Sequence, residues 1–258
     1  GTFQVTGDIN VPAGDTLDIA PGTTLEFATG VTFYIEGLLL AQGNQSDSIK
    51  FIRETGSYGW GGIDFQPNAP DTSRFAYCRI QGSLSNGVLL DGQSPVFERC
   101  IFADNSSGSN GGGLNCLQGS APVLNYCTFQ GNSASLIGGG LRVTEDVNLV
   151  ECNFLFNSSY KGGGMYCNNA DLDSCFFHGN IASSDGGGLY MNGSGNLYSA
   201  NLDSNFAGQN GGGAYIREGS IIENVTAALN EAGNGGGLYC QGDSIELRDG
   251  NFADNTAY

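Results

Sequence analysis

The sequence predicts an all-β chain wound as a right-handed parallel β-helix, a single-stranded solenoid with three short strands per coil of about 24 to 25 residues. Three observations carry that reading. A glycine triplet followed by a short apolar stretch occurs six times: GGGLNC (Gly111 to Cys116), GGGLRV, GGGMYC, GGGLYM, GGGAYI and GGGLYC (Gly235 to Cys240). The last glycines, at 113, 140, 164, 188, 213 and 237, are 24 to 27 residues apart, and weaker copies run backward through Gly87, Gly62 and Gly37. A second motif, Cys-x-Phe-x-x-Asn, travels in phase with the first in CIFADN (Cys100 to Asn105), CTFQGN, CNFLFN and CFFHGN (Cys175 to Asn180). Finally, no window shows capped helical periodicity, and 43 glycines are too many for helix interiors. A fixed period of this length marks a solenoid, in which each unit buries its apolar face only against its neighbours.

Each part of the coil follows from its own pattern. In the glycine stretch, Leu and Cys alternate with a variable polar or aromatic residue, a period of two and therefore a strand. Three residues before each cysteine position stands Phe75, Phe97, Leu124, Leu149, Leu172, Leu197, Ile222 or Leu247. Two residues after it comes Ile80, Phe102, Phe129, Phe154, Phe177, Leu202, Ala227 or Phe252. Such exchangeable apolar columns predict a core running the length of the stack. Coils pairing in parallel at about 4.8 Å give a rod roughly 45 Å long. The triplets suit turns with positive φ or close backbone approach. The asparagine column, Asn105 to Asn255, fits a buried turn where side-chain amides bond from coil to coil.

The repeat crosses the midpoint of the 258 residues without a linker, so one domain is expected, with opening coils over 1–50 and regular coils over 51–258. The net charge of −17, with nine basic side chains, argues against nucleic acid and anionic membrane as partners. It leaves cations, neutral glycans and protein surfaces. No apolar run is long enough to span a bilayer and no signal peptide is visible. The acidic, Lys-poor, Asn/Ser/Gly-rich composition points to an extracellular or cell-surface setting, and the chain reads as part of a longer exported protein. Cys78, Cys100, Cys127, Cys152 and Cys175 share one column with Ala200, Val225 and Gly250. Cys116, Cys167 and Cys240 share another with Val143, Met191 and Ile216. Positions that accept Val, Met or Ile are apolar slots, so unpaired buried thiols are expected. No CxxC spacing supports zinc.

The stretch from residue 7 to 65, with its PGT, GLLLAQG and WGGI segments, resembles the opening coils of many secreted bacterial β-helix proteins. From Cys100 to Asn255, the repeated glycine motif and the F-x-x-N copies FADN, FQGN, FLFN, FHGN and a second FADN resemble the polymorphic membrane proteins of chlamydiae and related surface β-helix proteins. That resemblance implies a surface-exposed, passenger-like β-helix with an adhesive or self-associating role.

The candidate contact residues are Tyr166, Tyr190, Tyr215 and Tyr239, which lie between inward columns and should face solvent on four consecutive coils. The third glycine of each triplet is expected to leave a bare shelf beside them, and Arg142 and Asn115 continue the column as its polar end. Such a stripe can bind a sugar ring or a protein; like aromatics also stack along a solenoid for stability alone. Glu151, Asp171 and Asp173, with Glu145 and Asp146, fall on adjacent coils and could hold Ca²⁺ through oxygen ligands, the one cofactor the chain invites. An ordinary acidic, solvated face is the simpler reading of the same residues. Polysaccharide lyases share the fold and need clustered acidic ligands with a nearby base, for which Arg142 or Lys161 would serve. The single His178 sits in a variable column and reads as a surface residue. The regular coils, without long inserted loops, favour a non-catalytic adhesive or structural module. The alternatives are a Ca²⁺-dependent lyase-like enzyme and an end-to-end fibre subunit, since an open solenoid end is an unpaired edge.

Overall fold

The computed structural model describes residues 1–258, which form 38 β-strands and no helix. The strands sort into four parallel sheets that run the length of a β-solenoid. The phenylalanine sheet has eleven strands, from Thr2–Val5 to Asn251–Ala253, and carries the Cys-x-Phe motif. The glycine sheet has ten, from Ile9–Val11 to Leu238–Cys240, and the leucine sheet ten, from Thr16–Ile19 to Glu246–Arg248. Each strand pairs with its counterpart one coil away, as in Phe129 beside Phe154 and Tyr166 beside Tyr190.

The opening coils carry three strands each, as expected, and from Ser106 onward a fourth sheet is added to them. Seven short strands, from Ser106–Ser107 to Thr256–Ala257, follow the asparagine column. Their pairing continues the main-chain register of the asparagine column. The Ser133 N–H donates to the Asn105 carbonyl at 2.9 Å, and Ser158 to that of Asn132 at 2.9 Å, so the residue after each asparagine is already in register with the coil before. Five of the seven have only two residues, too few to show period-two alternation, which is why sequence pattern reads them as turn.

The core is one cluster of 50 buried residues continuous from Val5 to Ala227. Phe102, Phe129, Phe154 and Phe177 stack with centroids 4.6, 4.9 and 4.7 Å apart and planes within 4°. Trp60 plugs the earlier coils: it stacks on Phe27 at 4.2 Å and its Nε1–H donates to the Gln81 carbonyl at 2.8 Å.

The asparagine ladder forms as anticipated. Asn132, Asn157 and Asn180 are fully buried. The Asn157 Oδ1 accepts both the Asn132 N–H at 2.9 Å and the Asn132 Nδ2 at 3.0 Å, while its own Nδ2 donates to the Phe129 carbonyl and to Asn180 Oδ1. Both cysteine columns point inward with unpaired thiols, and burial pushes the Cys100, Cys116, Cys127 and Cys167 thiols well above their ordinary range. Cys240, on the last coil, is the exception and is exposed. No helix is long and apolar enough to cross a membrane.

Candidate functional site

The tyrosine column lies on the outer side of the glycine sheet, in register from Asn115 through Arg142 to Tyr166, Tyr190, Tyr215 and Tyr239. The residues on either side of Tyr166, Tyr190 and Tyr215, such as Met165 and Cys167, are fully buried and hold each ring in place, whereas Tyr239 on the last coil is flanked by the half-buried Leu238 and the exposed Cys240. None of the four rings joins the core cluster. They stack on one another with centroids 5.1, 4.6 and 5.2 Å apart and planes 7°, 3° and 17° from parallel. This geometry corrects the expected flat, solvent-facing stripe. Rings one strand spacing apart cover each other's faces, so Tyr190 and Tyr215 are only 5 % and 7 % exposed and Tyr166 and Tyr239 are half-buried. Ring edges, not faces, form the outer surface. Burial raises the phenol pKa of Tyr166 and Tyr215, so both rings stay neutral through the ordinary pH range.

The glycine shelf is corrected too. A Cβ on Gly188 would point inward, 3.1 Å from the Phe177 Cβ and 3.2 Å from the Asn205 Cγ. The triplet turns the corner from the short sheet into the glycine sheet, so strand alternation does not extend back to its third glycine. The bare column serves the core and the asparagine ladder instead of baring the rings.

Two polar ladders border the tyrosines, and sequence pattern missed both. One occupies the position before each triplet. Lys161 Nζ bonds Asp185 at 2.9 Å and lies 5.0 Å from the Tyr190 ring centroid. Asn210 donates to Asp185 at 2.7 Å, and Asn234 to Asn210 at 3.0 Å. Burial opposes charge on both Lys161 and Asp185, yet their mutual pairing prevails: the lysine pKa is raised and the aspartate pKa lowered. The second ladder follows each glycine strand. Arg217 Nη1 donates to Asn192 Oδ1 at 2.9 Å, Asn192 leans on Asn168 at 3.4 Å, and Gln241 accepts from the Tyr215 hydroxyl. A fixed offset from GGG identifies both columns, which makes them legible in hindsight.

Arg142 stays in the column but turns its guanidinium inward along the chain, donating from Nη1 to the Cys116 carbonyl at 2.6 Å, with its Nε and the neighbouring Asn115 Oδ1 buried and unpartnered. With Lys161 and Arg217 it places three of the chain's nine basic side chains along the stripe.

The carboxylates proposed for Ca²⁺ are not gathered. Asp171 and Asp173 both project from the leucine-sheet strand Ala170–Asp173, whereas Glu151 stands at the corner between the leucine and phenylalanine sheets. Asp171 lines a shallow polar hollow of about 260 Å³ with Asp146, Asn148, Asn169 and Asn196, but its Oδ1 accepts from Asn196 Nδ2 at 2.6 Å and Asp146 accepts from Asn169 at 2.7 Å. No three His, Cys, Asp or Glu side chains converge on a point where a cation would sit. Lys161 and Arg142 lie on the glycine-sheet side, away from Glu151. His178 is better anchored than a surface residue need be: its Nδ1 is 2.7 Å from Asp203 Oδ2 on the next coil, with Phe156 edge-on and Phe176 stacked beside it.

Comparison with known proteins agrees with this architecture. A family described as a right-handed β-helix region matches residues 31–148. The chain is therefore a right-handed parallel β-helix repeat protein in fold. Protein bark beetle of Drosophila melanogaster is 46% identical over 57 residues, 21% of this chain and 2% of that protein, so the likeness spans a small part of the relative's length. No solved structure matches the chain. The family match carries the β-helix and not the finer likeness to the polymorphic membrane proteins.

Proposed function

We propose that this chain is a non-catalytic, extracellular or cell-surface β-helix module that binds a protein partner along the outer face of the glycine sheet. The observation that carries the reading is the four-tyrosine stack bordered by two hydrogen-bonded polar ladders. It presents a row of phenol edges at fixed spacing, with Lys161 and Arg217 at its margins, on a surface whose side chains are already ordered. A pre-ordered surface spends little side-chain entropy on binding. Tyrosine and arginine are the residues that most often anchor such contacts. Because the ring faces are used up within the stack, the arrangement favours a protein that bonds to hydroxyls and ring edges over a sugar that lies flat on an aromatic face.

The test replaces all four tyrosines by phenylalanine, which keeps the stack and removes the hydroxyls. Wild-type and variant chains are compared in binding to immobilised cell-surface and matrix proteins and to a glycan array, with light scattering to detect self-association. Retained melting temperature with loss of protein binding supports the proposal. Undiminished binding by the variant removes the tyrosine face as the contact.

A further inference from the structure

The sequence holds five Asn-x-Ser/Thr triplets, the acceptor pattern for N-linked glycans: Asn44-Gln45-Ser46, Asn105-Ser106-Ser107, Asn157-Ser158-Ser159, Asn192-Gly193-Ser194 and Asn224-Val225-Thr226. Their places in the fold separate them sharply. Asn105 and Asn157 belong to the buried ladder, and their amide nitrogens each bond both adjoining coils. Asn192 is half-buried beside the tyrosines, its oxygen held by Arg217 and its nitrogen turned toward Asn168. Asn44 and Asn224 are exposed. The Asn44 Oδ1 accepts from the Ser46 N–H at 3.0 Å, the Ser46 hydroxyl at 2.8 Å and the Asp47 N–H at 3.0 Å, so its oxygen end is tied to the loop and its Nδ2 is left to solvent. Asn224 occupies a corner at φ 54°, directed away from the coil, and its side chain makes no hydrogen bond.

We propose that Asn44 and Asn224 are N-glycan acceptors and that Asn105, Asn157 and Asn192 are not. The assignment rests on the reading of the chain as an exported one. In the transfer, Asn Nδ2 attacks C1 of an oligosaccharide carried on a lipid pyrophosphate. The C–N bond forms and the sugar–phosphate C–O bond breaks. The bonding pair leaves with the lipid pyrophosphate, and Nδ2 gives up one proton. The attachment is bulky and must end on the surface of the folded chain. A glycan on Asn157 would have to occupy the space between two coils spaced about 4.8 Å apart, and would prevent the stack from closing.

The two acceptors share one edge of the solenoid. The loop carrying Asn44 lies against Ala76 and Tyr77, bonding from Gly43 N at 2.9 Å and Ile49 N at 3.2 Å, where the chain passes from the leucine to the phenylalanine sheet. Asn224 makes the same passage, between strands Ile221–Glu223 and Thr226–Ala228. Glycans there would coat that edge and leave the tyrosine face bare, which gives the rod a covered side and a binding side.

The experiment drives the whole chain into membrane vesicles of the secretory pathway, and into the medium of insect cells, behind a foreign export signal. Protease-protected and secreted chains are treated with peptide N-glycosidase in ¹⁸O-water, which marks each released site as labelled aspartate, and the peptides are mapped. Labelling at Asn44 and Asn224, with N44Q/N224Q losing the whole glycan mass at unchanged melting temperature, is the expected result. Either acceptor unlabelled in translocated chains, or a label at Asn105, Asn157 or Asn192, overturns the proposal. Forced export decides the acceptors wherever the chain naturally resides. Glycan-free protein from its natural source, beside glycosylated protein after forced export, would instead show that the chain does not pass through a glycosylating secretory pathway there.

Discussion

A single amide, that of Asn157, shows what one residue does in this stack. It satisfies the Asn132 N–H and the Phe129 carbonyl, both buried, and passes the pattern on through Asn180. Truncation removes the partner but leaves those backbone groups inside, and a buried group without a partner costs its full desolvation. Asn157→Ala is therefore expected to lower stability by about 1 to 3 kcal/mol, measured as a shift in the urea midpoint. A neutral result would mean water reaches the ladder. The tyrosines show the opposite economy. Their faces meet each other and their hydroxyl edges meet solvent or the flanking ladders, so one side chain serves packing and presentation at once. That double use is why the sequence alone left the stripe's role open: period and identity place Tyr190 on the outer side, but only the ring orientation shows which part of it a partner can touch.

At the scale of the element, the glycine triplet decides how tightly coils approach. In Gly186-Gly187-Gly188 the first residue has φ 67°, a left-handed conformation that strains other residues. A Cβ on the second would collide with the Gly212 and Phe206 carbonyl oxygens of the next coil. Gly187→Ala has no flexible neighbour to yield, since both obstacles are backbone. It should destabilise by at least about 1 kcal/mol and disturb the short and glycine sheets on both coils, seen as amide shifts localised to residues near 187 and 212. An unchanged melting curve would refute the close approach. The triplets were also what made the strands, period and inward columns legible, because an element that must repeat its packing on every coil repeats its residues. The short sheet was not legible, since it is held by main-chain bonds that Ser106, Ser133, Ser158 and Ile181 make equally well. The ladders of Lys161 and Asn168 escaped for a related reason. Their residues vary from coil to coil, and only complementarity between neighbours, such as lysine above aspartate, unites them.

Across the whole molecule, every strand pairing joins a coil to the one before or after it, so no contact ties the first coils to the last. Stability in such a stack is a sum of coil terms and nearest-neighbour interfaces, and damage should stay where it is made. Phe154 sits between Phe129 and Phe177 in the aromatic stack. Phe154→Ala removes both contacts and leaves a cavity, at a cost of about 3 to 5 kcal/mol. Hydrogen exchange should then accelerate in strands Thr128–Gln130, Asn153–Leu155 and Phe176–His178, while Thr24–Phe27 and Ile49–Arg53 keep their protection. Local opening of low-stability units beside intact ones is the behaviour expected of a one-dimensional array. A uniform rise in exchange from end to end would show instead that the continuous core makes the rod a single cooperative unit. In that case a partner bound at the tyrosine face would stabilise all its coils together, whereas nearest-neighbour coupling confines the effect to coils around residues 166 to 239.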